Sequence, residues 1–404
     1  MKKYLRIMAA VLALALALGG AVSLAEAEGA GPVIPEITGL KQYNVPDTEA
    51  FAFVKQMKIG WNLGNTLDAY DDSAAGYTKG TKTEISWGNP WTTEELMQAI
   101  HDAGFETVRI PVSWHNHVDE DYQIDGQWMT RVKAVVGFAL NQGMYVILNI
   151  HHDNQEKFLY PDQAHLEQSR KYVGTIWKQV AEAFKDCDDH LILEGMNEPR
   201  LVGTNFEWYW DANNARCKEA ADCINQLNQL FVDTVRATGG NNATRYLMVT
   251  GYDASPWYVS NKAFQLPQDS AENRLIISSH AYTPYNFALN LNDPDTRFDL
   301  EKDAQKKKDI NDFLNALYQR FVSQGVPVIM DEFGALDKGG ALQDRVNFAA
   351  YYVAAATSRG IPCVWWDNGN LNGGGERFCL IKRSDLTWVY PEIVEAMMKN
   401  LSPD

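Results

Sequence analysis

The sequence predicts the α/β class and, within it, a closed (β/α)8 TIM barrel folded as one domain. Three observations lead there. Beyond residue 50, short apolar runs alternate with amphipathic helical patterns, as they do when crossover helices join parallel strands. Asn62, Arg109, His151, Glu198, His280, Glu332 and Trp366 fall at or just past the C-terminal ends of seven different strand candidates. An open doubly wound sheet gathers function at one switch point, whereas a closed barrel brings every strand end to one mouth. Finally, no glycine-rich dinucleotide or phosphate loop follows any strand to favour the open sheet.

Taken in order, strands are expected at 57–62, 106–111, 145–150, 191–196, 245–250, 275–280, 327–331 and 361–366. Helical patterns lie near 93–103, 128–142, 166–186, 214–237, 302–324, 342–358 and 389–400. Thr92 and Glu95 form a capping box for the first of these helices. Glycines at 104, 143, 239–240, 325 and 360 stop five helices just before the next strand. Residues 253–272 offer only short helical turns, and no repeat or low-complexity linker marks a second folded domain.

The N-terminus stands apart. Lys2, Lys3 and Arg6 precede an apolar run from Ile7 to Leu18, and Ser23-Leu24-Ala25 supplies small residues for cleavage. Residues 1–25 read as a secretory signal peptide, with an uncleaved anchor as the alternative; the run is short for a membrane span. Residues 26–50 read as a lead-in, packed on the surface or mobile, and 51–404 as the barrel domain. The expected location is therefore extracellular, with no membrane contact after cleavage.

The net charge of −16 becomes more negative once the three basic leader residues are gone, which disfavours nucleic acid and anionic membranes. It suits an uncharged substrate. Five cysteines, Cys187, Cys217, Cys223, Cys363 and Cys379, leave at least one free thiol. Cys217 with Cys223, and Cys363 with Cys379, are conceivable pairs. No CxxC or His/Cys cluster points to zinc, so neither a metal nor a cofactor is expected.

The chemistry-bearing stretches are Leu191 to Arg200 (LILEGMNEPR) and Val326 to Gly334 (VPVIMDEFG). Each is an apolar run that ends on a glutamate, Glu198 or Glu332, and is broken by proline or glycine. Two carboxyl groups at the lips of two core strands fit a retaining glycosidase, which needs them about 5–5.5 Å apart. For one strand-end glutamate alone, an ion-paired structural residue is an equal reading. Arg109, in TVRIPVSW, would keep a neighbouring glutamate ionised, and Tyr282, in SHAYTP, could hydrogen-bond the same carboxylate. Asn197 could bind a sugar 2-hydroxyl.

These residues carry a resemblance. GWNLGNTLDA (60–69), TVRIPVSW (107–114), ILNIHHD (147–153), EGMNEPR (194–200), SSHAYTP (278–284), IMDEFGA (329–335) and VWWDNGN (364–370) resemble glycoside hydrolase family 5. They look most like its bacterial endoglucanase and xyloglucanase branch, over residues 50–400. The resemblance implies that Glu198 is the acid/base and Glu332 the nucleophile. It also places Arg109, His151, Asn197, His280, Tyr282 and Trp366 around the bond that breaks.

Other candidates are weighed individually. His151-His152 invites a metal reading, but adjacent strand residues point to opposite faces, so His151 is expected to hydrogen-bond substrate and His152 to line or support the site. Trp366 is expected under a sugar ring and Trp365 in the core. Asn65 and Asp68 after strand one, and Asp367 and Asn368 after strand eight, are candidates for the next sugar. Some of Trp87, Trp91, Trp114, Trp208, Trp210 and Trp257 would line a cleft, loop packing being the alternative. The combined expectation is a secreted, monomeric, retaining endo-β-1,4-glucanase acting on β-glucan polysaccharide: cellulose, xyloglucan or mixed-linkage glucan. The rivals are another specificity on the same site (xyloglucan, mixed-linkage β-glucan, xylan or mannan), a non-catalytic glycan-binding protein, and a metal-dependent barrel hydrolase.

Overall fold

Short runs of Ile, Val, Leu, Met and Trp without polar alternation suit strands covered on both faces. In the computed structural model, which describes residues 31–72 and 80–401, they form such strands. These are β1 (Ile59–Leu63), β2 (Thr107–Ile110), β3 (Tyr145–Asn149), β4 (Leu191–Glu194), β5 (Leu247–Val249), β6 (Leu275–His280), β7 (Val328–Phe333) and β8 (Cys363–Asp367). Every residue of all eight is buried. They pair in parallel in chain order and close into a barrel, β1 meeting β8 from Ile59 opposite Cys363 to Leu63 opposite Asp367. Residues from Ile34 onward make one compact unit.

The long helices at Glu94–Asp102, Gly126–Leu140, Leu166–Phe184, Ala215–Ala237, Ala304–Arg320, Leu342–Thr357 and Pro391–Lys399 match the seven expected patterns within a few residues. Glycines 104, 143, 239, 240, 325 and 360 all take positive φ, as the helix stops require. The N-cap of the first of these helices differs from expectation. Thr93, not Thr92, caps it, its hydroxyl accepting from Leu96 N at 3.3 Å, while Thr92 N donates to Glu84. The 253–272 interval holds only a 3-10 turn at Tyr252–Ala254 and one helical turn at Pro256–Val259.

The lead-in is more structured than expected. A helix over Glu49–Gln56, capped by Thr48, directs Phe53 onto Tyr145 and Tyr246, at the N-terminal ends of β3 and β5. Ile37 N donates to Asn400 Oδ1, and Tyr318 Oη to the Asn44 carbonyl. No helix among the described residues is long and apolar enough to cross a membrane, and the expected signal peptide lies outside those residues.

All five cysteines are free thiols, so both conceivable pairs are corrected. Cys217 and Cys223 lie on one helix, six residues apart, where a rise of about 9 Å exceeds disulfide reach. Cys363 begins β8, whereas Cys379 neighbours Leu380, whose N–H bonds Asp367 at the strand's other end.

Candidate active site

The C-terminal mouth is organised around the buried guanidinium of Arg109 on β2. Its Nε and one Nη grip Glu194, the last residue of β4, at 2.7 Å each. The same group reaches Glu332 Oε1 at 2.7 Å, Asn197 Oδ1 at 2.7 Å and Asn62 Oδ1 at 3.0 Å. Asp331 Oδ2 lies 3.3 Å from Nε.

Asp331 and Glu332 both face this arginine although they are consecutive, which a regular strand forbids. A bulge explains it. On β6, Ser279 and His280 pair with Met330 and Glu332, and on β8, Cys363 and Trp365 pair with Met330 and Phe333. One extra residue on β7 therefore turns both acids into the mouth.

Glu332 Oε2 accepts from the Tyr282 hydroxyl at 2.8 Å. Glu198 stands across from it in the segment after β4, its Oε1 2.8 Å from His280 Nδ1. The same nitrogen is 3.7 Å from Glu332 Oε2, and the facing atoms of Glu198, His280 and Glu332 lie within 4.8 Å of one another. His280 Nε2 makes no hydrogen bond; it lies 3.6 Å from Asp331 Oδ2 and feels that carboxylate as charge.

The electrostatics follow from these contacts. Burial works against a charged His280, but Glu332 and Asp331, with Glu198 on Nδ1, outweigh it and hold its proton well above the usual histidine range. Burial would raise Glu198, yet the His280 hydrogen bond and charge, with Arg200 and His152, pull it to about 2. Burial and Glu332 keep the Tyr282 phenol protonated, so it donates. Burial and its cationic neighbours keep His151 neutral.

The other expected residues divide into two sets. His151 stacks parallel to Trp366, ring centroids 5.7 Å apart, with its Nδ1 on Asn149. Asn197 Oδ1 is taken by Arg109, which leaves its amide nitrogen to donate. Trp366 packs with Leu336, Phe378 and Tyr282 in a small apolar cluster, while Trp365 is core. Asn65 sits at the rim with φ +54. Asp68 and Asp367, however, are wholly buried braces. Asp68 accepts from the Asn65 and Thr66 backbone, and Asp367 from Gly369, Leu380 and Arg383. Asn368 likewise ties Asn370, Glu376 and Phe378 together. These three side chains brace the loops around the mouth.

His151 and His152 do not alternate across a strand, because β3 ends at Asn149. Their rings are 4.4 Å apart, and His152 Nε2 is 3.5 Å from Asp68 Oδ2. Of the tryptophans proposed for a cleft, Trp114 and Trp210 are buried, whereas Trp87, Trp91, Trp208 and Trp257 are exposed.

Sequence reading missed Glu194, Asp331, Asn149 and Asp253. The first three are polar residues inside apolar runs, and that polarity is the signal that could have found them. Asp253 has φ +56 and a buried Oδ1 without a hydrogen bond; burial and the charge of Glu198 push its carboxyl well above the usual range.

The family model described as Cellulase (glycosyl hydrolase family 5) matches residues 68–372. The chain belongs to glycoside hydrolase family 5. Among its relatives, Endoglucanase B of Neocallimastix patriciarum is 44% identical over 351 residues, 86% of this chain and 71% of that one. Endoglucanase A of Ruminococcus albus is 40% identical over 359 residues, 88% of this chain and 94% of that one. A family 5 lichenase structure from Caldicellulosiruptor sp. F32 superposes with a TM-score of 0.89 at 51% identity, covering 91% of this chain and 99% of that one. A broad-specificity endoglucanase from Ruminococcus champanellensis with bound cellotriose gives 0.81 at 43% identity, covering 88% of this chain and all of that one. The polar groups gathered at the mouth come from the ends of β2, β3, β4, β6 and β7.

Proposed function

We propose that this family 5 enzyme is a secreted, retaining endo-β-1,4-glucanase, with Glu332 as nucleophile and Glu198 as acid/base. One observation carries the reading: oxygens of Glu198 and Glu332 lie within 4.8 Å of each other around His280. That is the close spacing of a double displacement, and it leaves no room for the water that an inverting enzyme holds between its carboxyls.

Arg109 and Tyr282 each hydrogen-bond one oxygen of Glu332, which aims the carboxylate at the anomeric carbon. As the glycosyl–Glu332 ester forms, Glu198 protonates the leaving oxygen. The carboxylate so created faces His280 and Arg200, which stabilise it. Glu198 then takes a proton from water, and the hydroxide oxygen displaces Glu332. The Asn197 amide donates to the sugar 2-hydroxyl, and Trp366 lies beneath the ring.

Support for a glucan substrate comes from the relatives named as endoglucanases and from solved family 5 structures that hold cellotetraose or cellotriose. The similarity to a lichenase favours mixed-linkage β-glucan beside cellulose. The reading further includes cleavage after Ala25, a catalytic domain over 51–404, and a monomer. Barley β-glucan, carboxymethylcellulose, xyloglucan, xylan and mannan should be assayed side by side, with the first product followed by proton NMR. The expected result is a fast fall in viscosity of the two unbranched glucans and a β-anomer as first product. An α-anomer, or preference for mannan or xylan, would refute it.

A further inference from the structure

We propose that Arg200, held in place by the ring of Trp208, is a positioning residue that sets the proton affinity of the hydrogen-bonded Glu198–His280 pair and hence the alkaline limb of the pH–rate profile. The proposal rests on the acid/base reading of Glu198.

Arg200 Nη1 donates to the Glu198 carbonyl at 3.0 Å and lies 3.4 Å from Glu198 Oε2. His280 occupies Oε1, so among the described residues Arg200 is the cation at the second oxygen. Its guanidinium carbon sits 4.0 Å above the Trp208 ring centroid, and that ring is 60% exposed. Nε is buried without a hydrogen bond, 3.8 Å from Glu207 Oε1. An arginine with so few directed bonds would drift toward water. The indole face, Glu207 and the short Glu198-Pro199-Arg200 tether fix it against the carboxylate instead.

Other groups also face Glu198. His280 and His152 favour its charged form, whereas Glu332 across the mouth, Asp253, Tyr282 and Glu376 do not. Arg200 therefore balances acid function in the first step against base function in the second.

The test is kcat/KM against pH on cellotetraose for wild type, Arg200→Met, Arg200→Lys and Trp208→Ala, with Glu198→Ala as reference. Arg200→Met should move the alkaline limb up by about one pH unit. Trp208→Ala should move it the same way by about half a unit, and Arg200→Lys should fall between wild type and Arg200→Met. A merely structural role would lower kcat without moving the limb. Should Arg200→Met not fold, Trp208→Ala, a change at an exposed ring, decides. An unmoved limb in Arg200→Met, or in Trp208→Ala where that variant alone is isolated, overturns the proposal. If Glu198→Ala retains the limb, the acid/base reading itself fails; if it loses the limb while Arg200→Met stays at wild type, only the present proposal fails.

Discussion

His280 Nδ1 and Glu198 Oε1 are 2.8 Å apart, so the imidazole and the carboxyl share one proton. With the site empty the proton stays on His280, because Asp331 and Glu332 also face that ring. Donation to a leaving oxygen needs it on Glu198. His280→Gln should lower kcat/KM on unactivated oligosaccharides by about 10²-fold, with a smaller loss on aryl cellobiosides that leave without acid help. Equal losses on both substrates would contradict the shared-proton account.

The same pair defines a stability window. His280 binds its proton more tightly folded than at its ordinary 6.5, so its contribution is complete below that pH and fades as pH rises through the folded value. Glu198 is depressed from 4.5 to about 2, so its contribution is complete above 4.5 and fades as pH falls through 2. His280→Gln should therefore lower Tm most between pH 4.5 and 6.5. Thermal unfolding across pH checks this; a Tm difference that grows above pH 9 would contradict it.

Arg109 bonds two carboxylates and two asparagines inside the barrel. Arg109→Met strands Glu194 and Asp331 as buried acids and should destabilise folding by about 3–5 kcal/mol. Urea unfolding measures it. A change below about 1 kcal/mol, the scale of a surface pair, would mean the network is not held by the arginine.

Gly64 leaves no space for a side chain: a Cβ there would meet Trp366 and the Asp367 carbonyl at 2.8 Å. Gly64→Ala should displace the Trp366 ring and raise KM for cello-oligosaccharides, with little change in the far-UV spectrum. Unchanged KM would show that the indole is not a sugar platform.

Free thiols are a simpler test of the fold. Unreduced protein unfolded in denaturant should titrate five thiols, and reductant should leave Tm unchanged. Three or fewer would indicate a disulfide.

Much of this was legible in the sequence because the barrel repeats one physical pattern. Continuous apolar runs, glycine-stopped helices and polar strand ends identified β1–β8, Glu198, Glu332, Arg109, His280 and Tyr282. Asp68, Asp367 and Asn368 were expected to meet a sugar because they sit at the right sequence positions for the mouth. Loop backbone N–H groups claim their oxygens, however, and pairing of that kind has no local signature. Asp331 was hidden by the β7 bulge, since regular alternation would send it away from Glu332. The Glu49–Gln56 helix was missed because eight residues are too few for a clear helical period.

The central claim, that Glu332 attacks the sugar while Glu198 handles the proton, is tested most directly by covalent trapping. The enzyme should be incubated with a 2-deoxy-2-fluoro cellobioside bearing an activated leaving group, then digested and mapped by mass spectrometry. One fluorocellobiosyl group on the peptide containing Glu332, absent in Glu332→Ala, is the predicted result. Trapping on Glu198 instead, or turnover without any labelled peptide, would contradict it.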